Sequence, residues 1–362
     1  MNFAYNFSAV RGRQANKEYY ITMIPCRLLT KLFTAEEEIV PPEFRAQRRI
    51  NESRIPEIRD YILENRDSYV FSALSASIDG EFVFIPSEDT SDTGILSVSM
   101  DAFFLINDGQ HRKAAIEAAM EEDDTLGDET ISVVFFRDEG LSRSQQMFTD
   151  LNKHAVKTSN SLATLYDSRD SVAVATRTVI EKVPFFKRYT DKERDILGKN
   201  SSNLFTLNIV YKANQKILHT DTCTTEDTEF LTEYWTNVSE NIREWQDLLQ
   251  RHITKRDLRE NYIITLAVTL NALGRLGRYF YDHRETDFHP YVKRLRQVDW
   301  LRSNTDNWLL RTIRENGKVM NNEEATMLTC SKVKMLIGLP LTKEEEAREK
   351  TFTNSQIKRK NV

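Results

Sequence analysis

The sequence predicts an α+β protein in two parts: a mixed strand-and-helix domain over residues 1–155, then a mostly helical domain over 156–350, with a flexible tail over 351–362. Three observations predict it. Up to residue 155, β-rich runs alternate with pieces of helical periodicity. From 156 onward apolar residues recur at three- and four-residue intervals almost throughout, as in "DSVAVATRTVIEKV" and "RENYIITLAVTLNALGRLGRYFY". Hydrophobic residues make up 40% and charged residues 29% of the 362, a balance that buries a core and excludes a disordered chain.

The elements follow in order. "EYYITMI" is rich in tyrosine and β-branched residues and reads as the first strand. "PCRLLTKLF" opens with a proline suited to a first helical turn, and Leu28, Leu29, Leu32 and Phe33 follow at helical spacing. In "INESRIPEIRDYILENRDSY", Ile55, Ile58 and Ile62 define an amphipathic helix with Ser53 as N-cap and Pro56 in the first turn, where no backbone donor is lost. "YVFSALSASIDGEFVFIP" reads as a hairpin turning at Asp79-Gly80. After it come the strands "ILSVSM" and "AFFLI", a helix from about His111 to Met120, an acidic loop, the strand "ISVVFF" and a helix around "SRSQQMFTDLNK".

Charge and cysteine usage narrow the class. The net charge of -5 means that any nucleic-acid contact comes from a local patch. Cys26, Cys223 and Cys330 are odd in number and far apart, which excludes a disulfide framework and a C-x-x-C zinc knuckle, and Cys26 reads as a packed thiol. His283 and His289 have no partner at metal-ligand spacing, so no metal site is expected. No apolar run approaches the roughly 18 residues of a membrane helix. The expectation is a cytoplasmic protein that does not enter a membrane.

The chemistry concentrates in "LINDGQHRKAAIEAAM", which reads as strand, tight turn and helix start. The first amides of a helix lack internal partners and carry the positive end of its dipole, so an anion fits there. Gly109 allows a sharp turn and close approach, and His111 and Arg112 add donors. Asp108 either caps the helix or holds a divalent cation. The alternative is a plain Asp-Gly turn before a solvated helix. Cationic residues in a first turn oppose the dipole, which favours a position selected for an anion. Ala114, Ala115, Ala118 and Ala119 let the helix pack closely against the sheet.

"INDGQHRKAAI" resembles the signature of DGQHR-domain proteins, a branch of the ParB/sulfiredoxin-like superfamily. The similarity extends back through "QRRINESRIPEIRDYILEN" and forward through "MFTDLNKHAVKTSNSL". With the opening "FSAVRGRQANKEYYI" and the helical second half, the chain as a whole resembles the DndB family, associated with DNA phosphorothioation. The resemblance implies a ParB/sulfiredoxin-like mixed domain at the front. It also implies that Asp108, Gly109, Gln110, His111 and Arg112 form a phosphate- or nucleotide-handling turn, with Asn152 and Lys153 in a second polar segment. CTP-binding relatives carry a glutamate and paired arginines in this turn and sulfiredoxin a reactive cysteine. Gln110 stands in neither role, so reductase chemistry is not expected.

Double-stranded DNA is the implied partner, with other phosphorothioation proteins and a second copy of the chain as further partners. Two stretches are candidates for its phosphates. Arg48, Arg49 and Arg54 belong to an arginine cluster interleaved with acids, which is otherwise a solvated, salt-bridged face. Residues 251–302 hold eleven Lys/Arg against six Asp/Glu, with Arg275, Arg278, Lys293, Arg294 and Arg296 as DNA contacts and Tyr262, Tyr279, Tyr281 and Trp300 either stacking groups or core. The two helical runs broken near Asn316-Gly317 are a candidate helix-turn-helix. The function expected is a DNA-binding regulator, a repressor of the modification genes. The alternative is a nucleotide hydrolase or a phosphodiesterase that nicks DNA, using a nucleoside triphosphate with Mg2+, Asp108 on the metal, His111 as acid or base and Arg112 on the phosphoryl charge. Both chemistries need the same residues, and binding without catalysis is the first reading.

Overall fold

The computed structural model describes residues 3–33, 50–153, 158–198 and 201–360. The chain divides into two compact units, Met1–Val156 and Lys157–Val362. The first is a mixed sheet with helices and the second is helical, the α+β arrangement expected.

The sheet of the first unit has seven strands: β1 (Ala4–Gln14), β2 (Lys17–Pro25), β3 (Leu74–Asp79), β4 (Phe82–Pro86), β5 (Thr93–Ser99), β6 (Phe103–Asp108) and β7 (Thr130–Arg137). Their order is β4-β5-β1-β2-β7-β3-β6, antiparallel except for the parallel pair β3–β7. Two expectations change here. The opening stretch forms β1, with Phe7 and Ala9 buried at alternate positions, so the strand "EYYITMI" is the second. Ala15 and Asn16, at φ +47° and +61°, make the primed turn between β1 and β2. The hairpin expected at Asp79-Gly80 does not form. There only Gly80 has positive φ, +140°, and β3 and β4 go to different places in the sheet. Leu74, Ala76 and Ile78 of β3 bury fully between β7 and β6, while Phe82 and Phe84 of β4 pack on the Tyr20 ring at 5.7 and 5.4 Å.

One face of the sheet is covered by α1 (Cys26–Leu32), α2 (Ile55–Glu64) and α3 (Gln110–Glu122). Of the four alanines of α3, Ala115 and Ala119 reach the core, with Ile116 between them. Asn51 caps the short turn Glu52–Arg54 ahead of α2, accepting from the Ser53 backbone N–H; the expected cap, Ser53, is the donor instead. A fourth helix, α4 (Leu141–Lys153), follows β7.

The second unit is built around fully buried aromatics: Trp235, Trp245, Trp300, Trp308, Phe185 and Phe205. Four of its helices bring charged side chains together: α5 (Leu207–Leu218), α6 (Ala267–Asp282), α7 (Glu323–Ile337) and α8 (Lys343–Lys360). α5 and α6 meet at Gly274, where an added Cβ would lie 2.6 Å from the Ala213 carbonyl oxygen. Trp300 stacks on Trp308 at 5.5 Å inside the core, not on a surface. The candidate helix-turn-helix around Asn316 does not form: the helical segment Thr305–Trp308 is a single turn, and Leu309–Met320 is held by isolated bridges instead. Residues 351–360, expected as tail, continue α8. Its first turn carries Glu344, Glu345 and Glu346, which suit the helix dipole, and Glu344 pairs with Arg348 at i,i+4.

A buried carboxylate ties two helices of this unit together. Asp227 accepts from Thr224 N–H and Oγ1 in a capping box and from the Tyr281 hydroxyl at 2.8 Å, with Arg284 at 3.5 Å. Burial works to raise its pKa, but the Thr224 bonds, the Tyr281 bond and the Arg284 charge outweigh it, leaving the group below its ordinary value. A depressed folded pKa stabilises fully above the unfolded value, about 4, and that stabilisation is lost as pH falls through the folded value. Asp227→Asn is therefore expected to cost about 1–2 kcal/mol at neutral pH and to reduce the loss of stability below about pH 4, read from urea melts at pH 7 and pH 3.5.

Candidate functional site

The DGQHR turn is closed by its own side chains. β6 ends at Asp108, Gly109 turns with φ +110°, and α3 begins at Gln110. A Cβ at Gly109 would lie 2.4 Å from Leu74 Cδ2, so the close approach required of this glycine is to β3. Arg112 Nη1 donates to the Ser72 and Ala73 carbonyls at 2.7 and 2.9 Å and to the Ser72 hydroxyl, and Nη2 donates to Asp108 Oδ2 at 2.7 Å. Gln110 Nε2 donates to the Ile106 carbonyl at 3.2 Å, and His111 Nε2 accepts from the Asn51 N–H at 2.9 Å.

These bonds show what the turn's charges touch within the chain. The N-cap of α3 is Gly109, not Asp108, and Asp108 Oδ2 holds Arg112. Both terminal nitrogens of Arg112 are taken by groups of the same chain, so the guanidinium clamps the start of α3 to β6 and to the segment entering β3. Through these bonds the motif brackets β6, α3 and the segment entering β3. Among the described residues no three His, Cys, Asp or Glu side chains converge as a metal site. Asn152 and Lys153 end α4, but their side chains lie outside the described residues, as do Arg48 and Arg49. Arg54 is exposed on the turn before α2.

The cations predicted in the helical unit are dispersed, with one exception. Arg294 Nη1 donates to the Ile337 carbonyl at 2.7 Å and Arg296 Nη2 to the Glu240 carbonyl at 3.2 Å, each at the C-terminal end of a different helix. Helix ends expose carbonyls and attract cations, which is why a local excess of charge did not become one patch. Lys293 is exposed nearby on Val292's helix, His289–Lys293. Arg275 and Arg278, by contrast, come together on α6 in the wall of a cleft of about 430 Å3.

The cleft lies among α5, α6, α7 and the start of α8. On one wall Glu323 receives two cations, Lys216 Nζ at 2.6 Å and Arg275 Nη1 at 3.0 Å. Burial works to raise the Glu323 carboxyl, but the Lys216 bond and charge and then Arg275 hold it below its ordinary value, so it stays ionised. Two cations on one carboxylate leave a positive charge over. Arg278 Nε pairs with Asp282 at 2.6 Å while Nη1 caps the Ile217 and Leu218 carbonyls at the end of α5. Tyr279 forms part of the floor, with the His283 ring stacked on it at 4.5 Å and Lys334 Nζ 4.8 Å from its centroid. Sequence reading missed Lys216, Glu323 and Lys334. A signal existed for Lys334: it falls on the apolar stripe Cys330, Val333, Ile337, where a charge requires a partner.

The family model for DndB, described as DNA-sulfur modification-associated, matches residues 7–340. The chain belongs to the DndB family. Membership associates it with DNA sulfur modification. The DndB match contains the whole DGQHR bracket, Arg275, Arg278, Glu323 and Lys334, and ends before α8. Comparison with curated proteins and with solved structures finds no match. Among the described residues no helix is long and apolar enough to cross a membrane.

Proposed function

We propose that this DndB-family protein binds double-stranded DNA as a regulator of the sulfur-modification system, repressing the modification genes, and that the cleft of the helical unit contacts the DNA backbone. The observation that carries the reading is the shared carboxylate: Lys216 and Arg275 both depend on Glu323, so a phosphate gains one cation without stripping a counter-charge from the other. Arg278 and Lys334 stand in the same cleft. Arg112 has both terminal nitrogens bonded within the N-terminal unit, so the hydrolase alternative requires those bonds to be exchanged for substrate.

Backbone neutralisation releases counterions, so affinity falls with salt at a slope of about -0.9 per phosphate contacted. With ~5 contacts, log K against log salt is expected to fall at about -4 to -5 for a duplex from the modification genes' upstream region. Lys216→Ala and Arg275→Ala together should make that slope shallower by about 1–2 and weaken binding alike on all sequences. Fluorescence anisotropy over a salt series reads both. A flat salt response would remove the DNA reading; duplexes with and without phosphorothioate linkages, compared in the same titration, define which DNA is regulated.

A further inference from the structure

α8 docks on the helical unit in an unusual way. Helices attach to a protein body through an apolar stripe at i, i+4, i+7. In α8 that stripe is Glu345, Glu349 and Phe352, and Glu349 is the buried member among the described side chains of the helix. Glu349 holds Arg311 through both terminal nitrogens, Nη2 to Oε2 at 2.7 Å, and the two side chains are 11% and 8% exposed. Glu345 holds Lys334 Nζ at 2.7 and 2.8 Å, with side-chain exposures of 12% and 3%. Phe352 adds its ring, 4.2 Å from the Arg311 guanidinium carbon. The attachment is thus largely ionic.

The two partners of each pair fall on opposite sides of the end of the family match. Arg311 and Lys334 lie within the DndB match, residues 7–340; Glu345 and Glu349 lie after it. Lys332 stands near the same group: burial and then the Arg311 charge hold its ammonium below its ordinary value, with Glu349 opposing. Beneath α8 the unit therefore presents Arg311 and Lys334, and Lys334 also lines the cleft that holds Arg275 and Lys216. An arginine fork that accepts a bidentate carboxylate accepts a phosphate in the same geometry, and a lysine serves either as a point charge. Glu345 and Glu349, four residues apart, present two negative charges about 6 Å apart along the helix axis.

We propose that the groove beneath α8 is a polyanion site for nucleic-acid backbone phosphate, and that α8 is a detachable acidic strap whose Glu345 and Glu349 occupy Lys334 and Arg311 until an external polyanion displaces them. The proposal rests on the DNA reading for its natural ligand, but the competition itself is a property of the groove. Displacement makes Lys334 and Arg311 available beside the cleft and frees α8.

The test uses the full chain with two probes, a 20-base-pair duplex and inorganic tripolyphosphate. In the wild type, saturating either probe that binds is expected to speed amide exchange across residues 343–352. Glu345→Gln with Glu349→Gln should bind that probe at least about tenfold more tightly, because the internal competitor is gone. Phe352→Ala, which leaves both ion pairs in place, should tighten binding in the same direction but less, and serves if the double variant does not fold. Tripolyphosphate binding that releases α8, without duplex binding, keeps the strap and removes DNA as its ligand. Duplex binding that leaves α8 protected, or is no tighter in the variants, overturns the strap while DNA binding stands. Failure of both probes to bind overturns both.

Discussion

Arg112→Ala is expected to destabilise the N-terminal unit by about 2–4 kcal/mol, since a charged donor bonded to two carbonyls and a carboxylate is removed and its partners are left behind. The Ser72 and Ala73 carbonyls lose their donor, and Asp108 loses its counter-charge, although its 40% exposed side chain recovers part of that through water. The loss is expected where the bracket acts, as faster hydrogen exchange in β3, β6 and the first turns of α3. Arg112→Lys should recover little, because one ammonium cannot span three acceptors in the positions a planar fork reaches. A ligand role predicts the reverse pattern, with stability unchanged and affinity lost. A denaturant melt together with local exchange rates decides between them.

Gly274→Ala is expected to cost about 2–3 kcal/mol, the upper range for overpacking, because the added methyl meets backbone and not a side chain that swings aside. The Ala213 carbonyl oxygen would lie 2.6 Å away, with its carbon and Cα at 3.2 Å, so α5 and α6 must separate. That moves Lys216 on α5 away from Arg275 on α6 and breaks their joint hold on Glu323. DNA affinity should fall with stability. Gly198→Ala, where nothing lies within 4 Å, is the control and should stay within about 0.5 kcal/mol of wild type in the same urea melt.

Local features of the candidate site were legible and distant ones were not. Ile55, Ile58 and Ile62 announce α2 because helical periodicity is a property of neighbouring residues, and Gly109 before "QHRKAAI" announces a turn and a helix start for the same reason. The partners of that turn were unreadable: Arg112 reaches Ser72 forty positions back, and His111 meets the backbone of Asn51 sixty positions back. Asp79-Gly80 shows the limit most clearly. The pair has hairpin chemistry, yet β3 is claimed by β7 and β6, and a real primed turn sits at Ala15–Asn16, which carries no glycine.

From its own residues alone the chain determined its two-part organisation, the positions of its longer helices and its family, all of which depend on composition, short-range periodicity and matched sequence. Tertiary structure decided which charges come together. All of them bond groups of the same chain, but Arg112, Arg294 and Arg296 do so at separate places, whereas Lys216, Arg275 and Lys334 converge with their carboxylates on one cleft from three helices. The reason is physical: a cation's role is set by the groups that compensate it, and for Lys216, Arg275 and Arg294 those groups are distant in sequence.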